Sequence, residues 1–299
     1  IIERPEATEM FVPRPEAIPD LFVSGLLQFT GKPTEKEAWE TLVTTNDVVG
    51  IKVFSSPGQN SGTRPPVVAA LIESLLRAGI RADNIIVWDK DAGDLRRAGF
   101  TAFEERYKVR VVAAYDSGWD PEVFYESSLI GTPVWGDLEF EKKGDRIGRN
   151  SYVTKLLTGR ITKLISVAPL LNHNLTGVTG HLYSLASSSV DNFRRFDYRR
   201  ERLETAVPEI AGMPEIYDQL VLCITDALIC QYQGEQRTLL HYSRALNQLW
   251  FSKDPVALDV LAVFELDRQR KLAGNSSRQF KTELYSNASL LELGVSDMK

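Results

Sequence analysis

Four runs that read as buried β-strands end in a polar residue, at Lys52, Asp89, Asp116 and Asp226, and a fifth is followed by Asn172-His173. In an open parallel sheet the carboxyl ends of the strands meet in one crevice, so these distant residues are expected to form one polar cluster. A lysine, a histidine and an aspartate brought together are a set for proton transfer. Lys52 would fix a carboxylate, His173 would move the proton near neutral pH, and Asp226 would orient the imidazole or hold a divalent ion. The ion's identity is not set by these residues.

Each of these residues has a plainer role open to it. Lys52 shares a strand face with Val48, Gly50 and Phe54 and must pair, neutralise or snorkel past the strand end. His173 can instead hydrogen-bond backbone in a loop. Asp89 and Asp116 can cap helices or shape turns, although Asp91 and Asp120 are better placed to do so. His173 and His181 lie eight residues apart, which lacks the fixed geometry of a helical i, i+4 pair and specifies no metal site.

Around the trio, Asn60, Ser61, Thr63, Asn174 and Thr179 supply amides and hydroxyls for a bound substrate. The loop Ser55 to Thr63 leads into a helix N-terminus that admits an anion. It lacks the Gly-Lys-Ser/Thr ending of a phosphate loop, and the chain has no G-x-G-x-x-G and no Gly-x-Ser-x-Gly. Asp254 before Pro255 reads as a helix N-cap. Asp259 falls on the buried stripe of that helix, where it braces a neighbouring loop or reaches the site from below.

The elements that must position these residues follow from hydrophobic periodicity. Strands are expected over 47–54, 84–89, 109–115, 163–168, 220–225 and 246–251. Helices are expected over 35–42, 65–78, 95–98, 152–158, 199–211 (polar and exposed) and 254–272, with Pro65-Pro66 in a first turn and Gly79 as a stop. The alternation implies an α/β fold: a mainly parallel sheet with helices on both faces. Residues 1–34, with Pro5, Pro13, Pro15 and Pro19, read as an extended Pro-rich arm. Residues 35–299 read as a single α/β domain with a small β-rich excursion near 122–150.

The chain has 299 residues, 43% of them hydrophobic and 25% charged, and a formal charge of -5. That charge argues against nucleic acid as a partner. No apolar run approaches the ~20 residues of a membrane span. Cys223 and Cys230 are too few for an iron-sulfur cluster within this chain. The arm that starts at Ile1 reads as the remainder of a cut leader and is compatible with a periplasmic or exported location, with the cytoplasm as the alternative. A small-molecule ligand is the expected partner, and a homo-oligomer is compatible with the sequence.

Val49-Gly50-Ile51-Lys52-Val53, Leu95 to Phe100, His173 with Leu175 to Gly180, Thr225-Asp226-Ala227 and Asp254 to Asp259 occur in the order found in a bacterial and archaeal family. On these five motifs the chain resembles the domain-of-unknown-function family numbered 362. The resemblance implies that Lys52, His173, Thr179, Asp226, Asp254 and Asp259 belong to the family's shared set. Two departures stand out: Leu171 and Tyr183-Ser184 occupy positions where such proteins often carry a lysine and Lys-Asn. Relatives are often fused to ferredoxin-type segments or exported behind twin-arginine leaders. A looser similarity in element order is to the N-terminal half of nickel-pincer lactate racemases.

The expected function is an enzyme acting on a small organic acid by proton transfer, of racemase, epimerase or lyase type, with or without a metal. The alternative is a non-catalytic exported ligand- or metal-binding protein, or an accessory to a redox partner.

Overall fold

The computed structural model describes residues 1–127, 149–275 and 283–297. Its strands, in chain order, are β1 (Ile2–Glu3), β2 (Thr8–Glu9), β3 (Val12–Pro13), β4 (Val49–Val53), β5 (Ile85–Asp89) and β6 (Arg110–Ala113). They continue with β7 (Trp119–Glu126), β8 (Asn150–Thr154), β9 (Lys163–His173), β10 (Gly177–Val178), β11 (Leu220–Gln231) and β12 (Ser243–Ser252). The central sheet runs β1-β12-β11-β9-β4-β5-β6, and β10 hairpins back onto β9. β11, β9, β4, β5 and β6 are mutually parallel, whereas β12 and β1 close one edge antiparallel. The chain builds outward from β4 to β6 and resumes on the other side at β9. The order therefore reverses between β4 and β9, where α/β sheets open a crevice at their carboxyl ends.

Burial on both faces explains the continuous apolar runs. Val49, Ile51 and Val53 face one hydrophobic layer with Val67, Leu71 and the helix Ile18–Thr30. Ile86 and Trp88 face the other, with Leu182, Leu203, Val256 and Leu266. Each aliphatic side chain fully buried in these layers is worth ~1.5–3 kcal/mol. Lys52 alternates with Ile51 and Val53, so it points into the second layer, beneath the helix Gly180–Ser189.

Several expectations change. The extended arm is instead a strand, a short hairpin and a 13-residue helix whose Ile18, Leu21, Phe22 and Leu26 are buried. Pro19 sits in its first turn, where a missing N–H costs nothing, so the proline-rich composition marks a helix start rather than an arm. Residues 150–154 form β8 before a short helix, not one helix, because they pair antiparallel with β7. The helix Arg200–Ala211 buries Leu203, Ala206, Val207 and Ile210. Of the excursion near 122–150, the flanks are the β7–β8 pair and the rest lies outside the described residues.

Candidate functional site

A cavity of about 610 Å³ opens at the carboxyl ends of β4, β5 and β6, beside the helix Gly180–Ser189. Phe54 and Ser56 after β4, Asp89 and Lys90 at the end of β5, and Tyr115 after β6 form one side, and Tyr183, Ser188, Phe193, Arg194 and Asp197 another. Open sheets commonly bind ligands at this place.

Lys52 lies beneath its floor. The amine donates to Val53 O (2.5 Å) and Ser184 Oγ (3.0 Å) and meets Asp89 Oδ1 at 2.9 Å. It also sits 5.6 Å from the Trp88 ring centroid. Asp89 is held on every side: Ser55 N and Oγ donate to Oδ2 (2.8 and 2.6 Å), and Lys90 N and Ser188 Oγ donate to Oδ1 (2.8 and 2.7 Å). Burial pushes the Asp89 carboxyl up, but Lys52, Ser55 and Ser188 outweigh it and leave it below its ordinary range. Burial pulls the Lys52 amine down, against the attraction of Asp89. With three partners on its amine, Lys52 has no donor left for a substrate carboxylate, which corrects the role expected for it.

His173 is buried with its ring centroid 4.5 Å from that of Tyr183. Thr176 N donates to Nδ1 at 3.2 Å, and Thr176 Oγ1 lies 2.9 Å from the same nitrogen. Burial pushes the imidazole down to about 4, against the opposing pull of Glu235. His181, fully buried, bridges Ser166 Oγ (2.8 Å) and Thr225 Oγ1 (3.1 Å), and burial takes it down to about 3.

Asp226 is not with them. It alternates with Thr225, which touches His181, and faces the opposite layer, alongside Ile224 and Leu228. There the Arg64 guanidinium and backbone N–H donate to its two oxygens, each at 3.0 Å. Arg64 also donates to Asn60 O and Ile229 O. Asp226 thus occupies the N-terminus of the helix Pro65–Arg77, where the loop was expected to admit an anion. A guanidinium stands where a metal would need an open carboxylate edge. Among the described residues no group of three or more His, Cys, Asp or Glu is arranged to hold a metal ion.

Two of the five residues expected to bind substrate, Ser61 and Thr63, hold the fold instead. Thr63 receives Phe54 N–H and donates to Val167 O, and Ser61 donates to Gln231 Oε1 at 2.7 Å. Asn60 is exposed, and the exposed Asn174 donates its N–H to Glu235. Thr179 is buried, and its hydroxyl has no hydrogen-bond partner among the described residues. None of the five lines this cavity. Asp254 N-caps the helix Pro255–Leu272 through Ala257 N and also receives Val295 N–H. Asp259 accepts the N–H groups of His181 and Leu182 at 2.7 and 2.9 Å, capping the helix that carries Tyr183 and Ser184. Burial raises its carboxyl to about 7 despite those two donors. Asp91 caps the helix Ala92–Arg97 through Asp94 N, which frees Asp89 for Lys52. Asp116 is exposed within the short helix Ala114–Ser117.

A family model described as "Domain of unknown function (DUF362)" matches residues 49–264, well over half of the chain. The chain belongs to this family. Lys52, Asp89, His173, Asp197, Asp226 and Asp259 all fall within the matched span. No curated protein matches the chain at a significant level. Among solved structures it is similar to the crystal structure of a structural-genomics target protein from Thermotoga maritima. The identity is 13% and the TM-score 0.47, with 86% of this chain and 59% of that one covered. The chain thus spans about three fifths of that protein's length.

Sequence reasoning missed Asp197, Arg194 and Arg64. Tyr183 Oη donates to Asp197 Oδ1 at 2.9 Å. Burial raises the Asp197 carboxyl, against that hydrogen bond and the charges of Lys90 and Arg194. The available signal was the charge-dense segment Phe193 to Arg202, where Asp197 stands as an acid among arginines. For Arg64 it was a cation just before a helix that starts on Pro65-Pro66.

Proposed function

We propose that this family member is an enzyme that binds a small organic acid in the cavity beside Gly180–Ser189 and moves a proton on it. Arg194 holds the carboxylate and the Tyr183–Asp197 pair handles the proton. The observation that carries this reading is Asp197, a carboxyl that lines the cavity, is raised by burial and is hydrogen-bonded by Tyr183 Oη. A carboxylate pushed upward is a stronger base when ionised and a competent acid when protonated, which racemase, epimerase and lyase steps require. Lys52 and His173 then act from behind the cavity: Lys52 fixes Asp89, and His173 supports the Tyr183 ring.

The test is loss of the α-proton signal of candidate acids in D2O, followed by NMR, together with the melting-temperature shift each acid produces. Exchange abolished by Asp197→Asn, with the shift produced by 2-hydroxy acids retained, supports proton transfer. Absence of both exchange and shift across 2-hydroxy, 2-amino and dicarboxylic acids sinks it.

A second reading, a binding protein without turnover, draws on the internal satisfaction of Lys52 and of Asp226 with Arg64. It predicts shifts with no exchange for any acid.

A further inference from the structure

The charged side chains of this cavity are not equally available. Asp89 is spent on Lys52, Ser55 and Ser188. Lys90 Nζ is held by three carbonyls, Ser187 O, Val190 O and Asp191 O, at 2.8–3.0 Å. Asp94 pairs with Arg97, and Asp91 caps a helix. On the side of the cavity formed by Tyr183 to Asp197, one charge of each sign remains among the described residues. Arg194 is exposed, and its guanidinium makes no hydrogen bond or ion pair with the described residues; its carbonyl receives the Asp197 N–H. Among the described residues the Asp197 carboxyl has only the Tyr183 hydroxyl, on Oδ1. The two side chains do not pair with each other, although each lies in the other's field.

A pocket that keeps one cation and one carboxyl apart and uncommitted is complementary to a ligand carrying both signs, since unmatched charge in a concave site disfavours ligands of a single sign. The rings of Phe54, Tyr183 and Phe193 line the same cavity, packed edge to face at 6.4 Å (Phe54–Tyr183) and 5.6 Å (Tyr183–Phe193). They offer apolar surface to a side chain and no further hydrogen-bonding group beyond the Tyr183 hydroxyl already used.

We infer that the organic acid of this site is a zwitterionic α-amino acid with an apolar side chain. Its carboxylate meets Arg194, its ammonium meets Asp197 and its side chain lies against Phe54 and Phe193. This rests on the organic-acid reading above and narrows it. A ligand ammonium also adds a cation in direct contact with Asp197, beyond the more distant charges of Lys90 and Arg194, so binding and ionisation of that carboxyl favour each other.

The experiment compares leucine and phenylalanine with their 2-hydroxy analogues, which keep the carbon skeleton and the carboxylate but have no ammonium. Affinities are measured by calorimetry on the full chain. The amino acids are expected to bind at least about tenfold more tightly, the size of one charge-assisted hydrogen bond. Asp197→Asn, which keeps an acceptor for Tyr183, should erase that ratio while leaving the hydroxy acids unchanged. Equal or tighter binding of the hydroxy acids overturns the amino-acid assignment and leaves the organic-acid reading standing. Binding by neither series overturns both. Should Asp197→Asn fail to fold, the wild-type ratio alone decides.

Discussion

Lys52 Nζ and Asp89 Oδ1 stand 2.9 Å apart with both side chains buried, joining two neighbouring parallel strands beneath the cavity floor. Removing one partner leaves the other charged and enclosed. Lys52→Met and Asp89→Asn are each expected to cost about 3–5 kcal/mol of unfolding free energy. The double variant should cost clearly less than the sum of the two. Urea titration of the three variants checks this, and additive losses would mean that the pair is not coupled.

Arg64 and Asp226 form the corresponding clamp on the other face. Arg64→Lys keeps the charge and loses the forked geometry, so it is expected to destabilise the chain, and Arg64→Met to do so more strongly, again by about 3–5 kcal/mol. Hydrogen exchange should show the loss first in the loop Ser55 to Thr63, because Arg64 also holds Asn60 O. A loop protected as well as in the wild type would refute the clamp.

Gly180 has φ +53, and a Cβ there would fall 2.3 Å from Asp259 Oδ1. Gly180→Ala therefore combines left-handed backbone with displacement of the carboxylate that caps the helix carrying Tyr183. A loss of at least about 1–3 kcal/mol is expected from backbone strain alone. Thermal melts check it, and a neutral outcome would show that the Asp259 cap can move freely.

Acid stability carries the mark of the buried histidines. His173 and His181 titrate near 6.5 when unfolded and are pushed by burial to about 4 and about 3 in the fold. Between these values the unfolded chain binds more protons than the folded one, so stability rises with pH there. Their contribution is complete above pH 6.5 and is lost as pH falls toward 4 and then 3. Asp259, raised to about 7, works in the opposite sense, its burial favouring the protonated form. His181→Gln should flatten the acid limb between about pH 6.5 and 3, read from unfolding free energies at stepped pH. An unchanged slope would contradict a buried, neutral His181.

Arg194 is exposed and unpaired among the described residues, so Arg194→Ala should change stability by no more than about 0.5 kcal/mol. It should nonetheless remove the ligand-induced melting shift. A shift of full size in the variant would take the carboxylate away from Arg194.

The parallel α/β core is legible in the order of residues, because continuous runs such as Val49 to Val53 and Ile85 to Asp89 are stable only when covered on both faces. That order also shows the Asp254 cap and the pairing requirement on Lys52, since a buried amine must find a partner. What it could not determine was which partner, or which face. Asp226 lies inside β11 rather than at its end, where Asp89 closes β5, and one residue of alternation turns it to the opposite layer, onto Arg64. Lys52 and Asp226, expected to share a centre, are therefore separated by the sheet itself. Asp197 entered the cavity only because the segment after Gly180–Ser189 folds back over the strand ends. Periodicity is local and survives in the linear chain. The meeting of side chains from distant segments depends on register and packing, which only the assembled tertiary structure supplies.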